Sequence, residues 1–198
     1  MFIEPGNSLF ARGRFQIAMI LRFATLGGIL ALLTFIAFAK IEAAPADSLA
    51  DLSASISKDF PSVPALGTAE LADWLKDSKK SPPILLDVRE EKEYVVSHLP
   101  GARRAKSDAV KQLRQLGATE ASPVVVYCSV GYRSAVLARK LAEAGFTKVR
   151  NLTGSIFAWS NEGRPLVNAT GPTSGVHPFD ASWGRYLEQS KWRWVPEN

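Results

Sequence analysis

The sequence predicts an α/β fold, a parallel sheet flanked by helices on both faces. Two observations carry this: short runs of strand-forming residues recur at 84–88, 124–128 and 148–152, and stretches of helical pattern separate them. Taken in order, Thr68 caps a helix that runs through Trp74 to Lys76, and Pro82-Pro83 stops it before the first strand. A short helix over 91–97, an extended piece at 102–105 and a helix over 108–116 with apolar Val110 and Leu113 follow. The strand 124–128 leads into a helix that reaches Ala144, then comes the strand 148–152 and a helix through Trp159. In a sheet of this kind ligands gather outside the carboxyl ends of the strands, where Cys128 falls.

Both flanks differ in composition from this middle. Residues 41–66, rich in Ala, Ser, Pro and Asp, read as a linker or stalk with room for a short helix near 49–56. From Asn168 onward the turn-rich Gly171-Pro172-Thr173-Ser174-Gly175 precedes Phe179, Trp183, Tyr186, Leu187, Trp192 and Trp194. A helix is expected over 180–189, where Trp183, Tyr186 and Leu187 recur at helical spacing and form a stripe that packs back on the domain. The expected divisions are therefore 1–40, 41–66, 67–167 and 168–198.

The first division reads as a signal peptide or membrane anchor, an N-terminal hydrophobic helix. An uncharged apolar run of 17 residues, 23–39, has Arg12, Arg14 and Arg22 before it and Lys40 after it. Ala37-Phe38-Ala39 and Ala44-Pro45-Ala46 offer small residues for cleavage. Retained or cleaved, it would place the domain across a membrane, in a periplasm or its equivalent. Of the net charge of +5, residues 1–40 hold +3, which leaves no basic stripe for nucleic acid. The two histidines, His98 and His177, are far apart and have no companion cysteine, so no metal is expected.

Cys128 is the only cysteine, so no disulfide can form within the chain and no second thiol can resolve a sulfur adduct. It sits where the run Val124-Val125-Val126-Tyr127 gives way to a helical pattern beginning near Ser134. Backbone N–H groups of the loop Ser129-Val130-Gly131-Tyr132-Arg133 and the start of the helix would surround the sulfur and favour its thiolate. Gly131 supplies the positive φ that such a loop needs. A buried structural cysteine at a strand end is the competing reading, and the reactive one requires a sulfur that solvent can reach.

Leu85-Leu86-Asp87-Val88-Arg89, Glu93-Tyr94, His98-Leu99-Pro100-Gly101-Ala102, the segment from Val126 to Ser134, Gly145-Phe146, and Leu152-Thr153-Gly154 with Trp159 resemble the rhodanese family in order and spacing. The resemblance covers about residues 68–167 and implies a rhodanese-like sulfurtransferase domain without a cofactor. Cys128 would take a sulfane sulfur from thiosulfate or a similar small sulfur anion or persulfide donor. It would hold that sulfur as a persulfide within the loop Ser129, Val130, Gly131, Tyr132 and Arg133, then pass it to a thiol, cyanide or a protein acceptor. Asp87, Arg89 and Ser134 would support the loop. Arg133 would either steady an anionic substrate or the thiolate, or brace the loop through an ion pair with Asp87 or another carboxylate at the neighbouring strand end, the second being the preferred reading. The loop spans six residues from Cys128 to Arg133, one short of the related phosphatases, so phosphatase activity is disfavoured. Ser97 and Ser155 stand where the family usually or often has glycine, which bears on turn shape rather than on chemistry. A monomer is expected, and a non-catalytic persulfide carrier or protein-binding module is the alternative.

Overall fold

The computed structural model describes residues 48–195, all within one compact unit of the chain. The predicted apolar segment 23–39 lies outside the described residues. Among the described residues no helix is long and apolar enough to cross a membrane.

A five-stranded, wholly parallel sheet forms the centre: β1 (Ala65–Leu66), β2 (Ile84–Asp87), β3 (Arg103–Arg104), β4 (Val124–Tyr127) and β5 (Val149–Leu152), in the order β1-β5-β4-β2-β3. Strand β4 is central, with Leu86 of β2 paired to Val126 on one side and Val149 of β5 paired to Val124 on the other. Its four side chains alternate between two cores. Val125 and Tyr127 join Leu66, Leu85 and Leu152 on one face, and Val124 and Val126 join Leu86 and Val149 on the other. The first face is covered by α2 (Thr68–Lys76) through Leu71 and by α6 (Ser155–Asn161) through Ile156 and Phe157. The second is covered by α4 (Ala109–Gln115) through Leu113 and by α5 (Tyr132–Glu143) through Ala138 and Leu141. Burial on both faces explains why β4 is a continuous apolar run rather than an alternating one. Helix α3 (Glu91–Val96) links β2 to the turn at His98.

The chain departs from the sequence reading at both flanks. Residues 48–66 lie in the segment expected to be a linker; the short helix expected near 49–56 is present as α1 (Leu49–Asp59), and the segment also adds β1 to the sheet. Ser48 Oγ caps α1 by accepting the Asp51 N–H at 3.1 Å, and Ile56 and Phe60 pack with Ala135 of α5. The C-terminal extension begins with the antiparallel hairpin β6 (Leu166–Asn168) and β7 (Gly171–Thr173). The helix expected over 180–189 is only α7 (Ala181–Gly184), followed by a 3₁₀ turn at Gln189–Lys191. The Trp192 ring packs so close to Gly184, at the end of α7, that a Cβ there would come 2.5 Å from it, so only glycine fits. Of the predicted stripe, Tyr186 and Leu187 are buried and Trp183 stays exposed.

If α1 is integral to the domain, Ile56→Ala should lower unfolding free energy by about 2–4 kcal/mol, the range for truncating a buried aliphatic side chain. Urea unfolding followed by tryptophan fluorescence measures this. A change within about 0.5 kcal/mol would identify α1 as an undocked stalk.

Candidate active site

The cysteine loop is built by the ends of β4, α5 and α6. Leaving β4, the chain turns through Cys128, Ser129 and Val130 to Gly131, whose φ of 117° lies in the left-handed region before α5 begins. The loop's carbonyls are held by groups around it. Ile156 and Phe157, at the start of α6, donate their N–H groups to Cys128 O and Ser129 O at 3.1 Å each, and Asn151 Nδ2 donates to Gly131 O at 3.0 Å. In a trans peptide the C=O and the following N–H point in opposite directions. Fixing these three carbonyls therefore turns the N–H groups of Ser129, Val130 and Tyr132 the other way. Among the described residues the N–H groups of Ser129, Val130, Tyr132, Arg133 and Ser134 meet no protein acceptor, while Gly131 N–H donates to Cys128 Sγ at 3.1 Å. Such a concavity of unpaired amides favours an anion.

Ser155 shows what its departure from glycine does. Its φ of 52° is the left-handed conformation that glycine would adopt freely. Its Oγ accepts the Cys128 N–H and donates to Leu152 O, both at 3.1 Å, so the side chain ties the root of the loop to the end of β5. Ser97 has an extended backbone, φ −169°, which any residue adopts.

Arg133 braces the loop through an ion pair, and of the candidate carboxylates its partner is Glu93 of α3 rather than Asp87. Nη1 donates to Glu93 Oε2 at 2.9 Å and Nη2 to Oε1 at 2.8 Å, a bidentate pair. Ser129 Oγ donates to Oε1 at 3.0 Å, and Glu90 N–H donates to Oε2 at 3.0 Å, which also caps α3. Burial works against the Glu93 carboxylate, yet the hydrogen bonds and charge of Arg133 outweigh it and hold its pKa below the ordinary 4.5. Burial likewise opposes the Arg133 charge. The hydrogen bonds to Glu93 and the nearness of Cys128 overcome it, so the guanidinium is held charged.

Asp87 and Arg89 form a second, separate pair. Arg89 Nε and Nη2 donate to Asp87 at 3.0 Å and 2.7 Å, Nη2 also donates to Ser97 O, and both side chains are fully buried. Tyr127 extends this brace by accepting the Leu99 N–H on its hydroxyl at 3.1 Å, and burial followed by the Asp87 charge raises its pKa well above 10. Ser134 Oγ donates to Gly131 O at 3.1 Å. The predicted loop-support residues thus split: Ser134 touches the loop, while Asp87 and Arg89 hold the turn beside α3. Tyr132 points outward, half exposed, with its ring edge-on to Phe60. His98 stacks on Tyr94, and Arg103 and Arg104 lie exposed on the edge strand β3.

The sulfur itself is not open to solvent as the reactive reading requires: Cys128 is 1% exposed. The C-terminal extension reaches this region, because the Phe179 ring lies over the Arg133 guanidinium with its centroid 5.0 Å from the central carbon. His177 is buried nearby, and loss of solvent lowers its pKa below the ordinary 6.5. Glu93, His177 and Phe179 were not among the candidate site residues. Glu93 stood in one of the quoted motifs, whereas nothing local marks Phe179.

Glu93→Gln removes the counter-charge of Arg133 and should cost about 2 kcal/mol near pH 7, less than a fully buried pair because Arg133 keeps some solvent. A carboxylate whose pKa is depressed on folding contributes stability above its unfolded value and loses it as pH falls through the folded one. The gap between the wild-type protein and the variant should therefore narrow as pH drops below 4.5. Denaturant unfolding across pH tests this, and a gap independent of pH would contradict it.

The family profile described as "Rhodanese-like domain" matches residues 70–162. A protein of Allochromatium vinosum named "Sulfurtransferase" is 31% identical over 88 residues, which make up 44% of this chain and 81% of that one. The "Probable adenylyltransferase/sulfurtransferase MoeZ" of Mycobacterium tuberculosis is 32% identical over 97 residues, 48% of this chain. This chain spans only 24% of its length. The crystal structure of a thiosulfate sulfurtransferase from Pseudomonas aeruginosa shares the fold, with a TM-score of 0.52 and 21% identity over 68% of this chain and 25% of that one. With the parallel sheet, the cysteine loop after its central strand and a relative matched over most of its length, the chain belongs to the rhodanese family.

Proposed function

We propose that the chain is a sulfurtransferase that carries a sulfane sulfur on Cys128. The Cys128 thiolate attacks the outer sulfur of thiosulfate or a similar donor. A bond forms between Sγ and that sulfur, the donor's S–S bond breaks, and sulfite leaves with the electron pair. An external thiolate, cyanide or a protein thiol then attacks the outer sulfur of the persulfide and releases the Cys128 thiolate. The single observation that carries this reading is the concavity of unpaired amides around Cys128, with Gly131 N–H on Sγ. The relatives named sulfurtransferases support it. Arg133 is committed to Glu93, so its role is to hold the loop rather than to clamp an incoming anion. Ser129 joins the same brace, and Val130, Gly131 and Tyr132 contribute backbone. With one cysteine in this sequence, the acceptor comes from outside. The apolar run at 23–39 and the arginines before it support an extracytoplasmic site of action, anchored or secreted.

The burial of Cys128 favours a second reading, a protein-binding module that does not turn over thiosulfate, while a persulfide carrier would need the same access to the sulfur as the enzyme. Incubation with thiosulfate and cyanide separates the two. Thiocyanate formation that falls to the uncatalysed background in Cys128→Ser is the expected result. A mass gain of one sulfur without thiocyanate would identify a carrier, and no gain would identify a docking domain.

A further inference from the structure

The C-terminal extension does more than cover a core face. Its stretch Val176–His177–Pro178–Phe179 is anchored at one end. Val176 is fully buried and exchanges hydrogen bonds with Lys191 O and Arg193 N, and His177 packs edge-on against Trp194. At the other end His177 Nδ1 accepts the Phe179 N–H at 3.0 Å and holds Phe179 at a φ of 71°. That conformation is unfavourable for a bulky aromatic residue and persists only where surrounding contacts impose it. What it achieves is visible: the ring lies 5.0 Å over the guanidinium of Arg133, the side chain bonded to Ser129 Oγ in the cysteine loop. A strained aromatic residue is thus seated against the loop whose sulfur is shut off from solvent.

We propose that Phe179 is the gate and the specificity-determining residue of the Cys128 site. The tail stretch 176–179 holds its ring over Arg133, so that small sulfur anions reach the thiol with little displacement and bulky donors or acceptors only when the ring swings away. This rests on the sulfurtransferase reading for its substrates, but its test does not. Cys128 is the only cysteine, so adduct mass reports its labelling alone, with no sulfur donor present.

In the full-length chain, the rate of Cys128 modification is compared for iodoacetamide and for a bulky fluorescein maleimide. Phe179→Ala should accelerate the bulky probe about tenfold and iodoacetamide by about threefold or less. A tenfold change is about 1.4 kcal/mol, between the exposed and the desolvated limits of a cation–π contact. Phe179→Gly, which accepts positive φ without strain, carries the same expectation should the alanine variant fold poorly. Trp183→Ala, an exposed position on the same extension, should leave both rates unchanged. Acceleration of both probes by one common factor, or of neither, would overturn the gate. Size-selective labelling in a chain that transfers no sulfur would uphold the gate and remove the sulfurtransferase reading.

Discussion

The buried carboxylate of Glu93 is the constraint on which the cysteine loop depends. It gathers two hydrogen bonds from Arg133, one from Ser129 and one from the Glu90 backbone, and so joins α3 to a loop 36 residues further along the chain. An unpaired charge at this depth would cost several kcal/mol, so neither partner can leave without penalty. Because Arg133 is neutralised in this way, the positive character of the loop comes from its backbone amides. Their direction is set in turn by α6, whose first N–H groups take the loop carbonyls. Position and polarity of the site thus have separate sources: an ion pair places the loop, and a helix start orients its peptides.

Much of this was legible in the sequence because it is local. The strands at 84–88 and 124–128 announced themselves by their side chains and the loop by glycine at the position with φ of 117°, whereas the helix expected to be capped by Thr68 and stopped by Pro82-Pro83 is capped at Gly67 and already ends at Lys76. What escaped is non-local. Arg133 could have paired with any carboxylate near the strand ends, and only the packing of α3 selects Glu93 over Asp87, which Arg89 already occupies. Residues 48–66 are polar enough to pass for a stalk, yet Ile56 and Phe60 find Ala135, and Ala65–Leu66 completes the sheet edge. The C-terminal stripe was right in burying Tyr186 and Leu187, but the helix itself ends at Gly184, before either residue. Ser155 and Phe179 adopt positive φ that no residue preference foretells.

Covering the sulfur fits chemistry that must exclude competitors. A persulfide is itself reactive toward any thiol, and shielding it limits loss to the wrong acceptor. On the proposed sulfur-transfer reading, a gate formed by the Phe179 ring over Arg133 would slow loading as well as loss, and so trade access against selectivity. The family profile matches residues 70–162, which hold β2 to β5 and the cysteine loop, whereas α1, β1 and the aromatic extension lie beyond that range. These flanking pieces press on the shared loop from outside it, the residue that follows α1, Phe60, against Tyr132 and the extension through Phe179 against Arg133.

The most direct test of the central claim is a crystal structure of the full chain after treatment with thiosulfate. The account predicts one extra sulfur bonded to Cys128 Sγ, within about 3.5 Å of the loop amides from Ser129 to Ser134, with the Glu93–Arg133 pair intact. An unmodified Cys128, or a sulfur directed away from those amides, would contradict it.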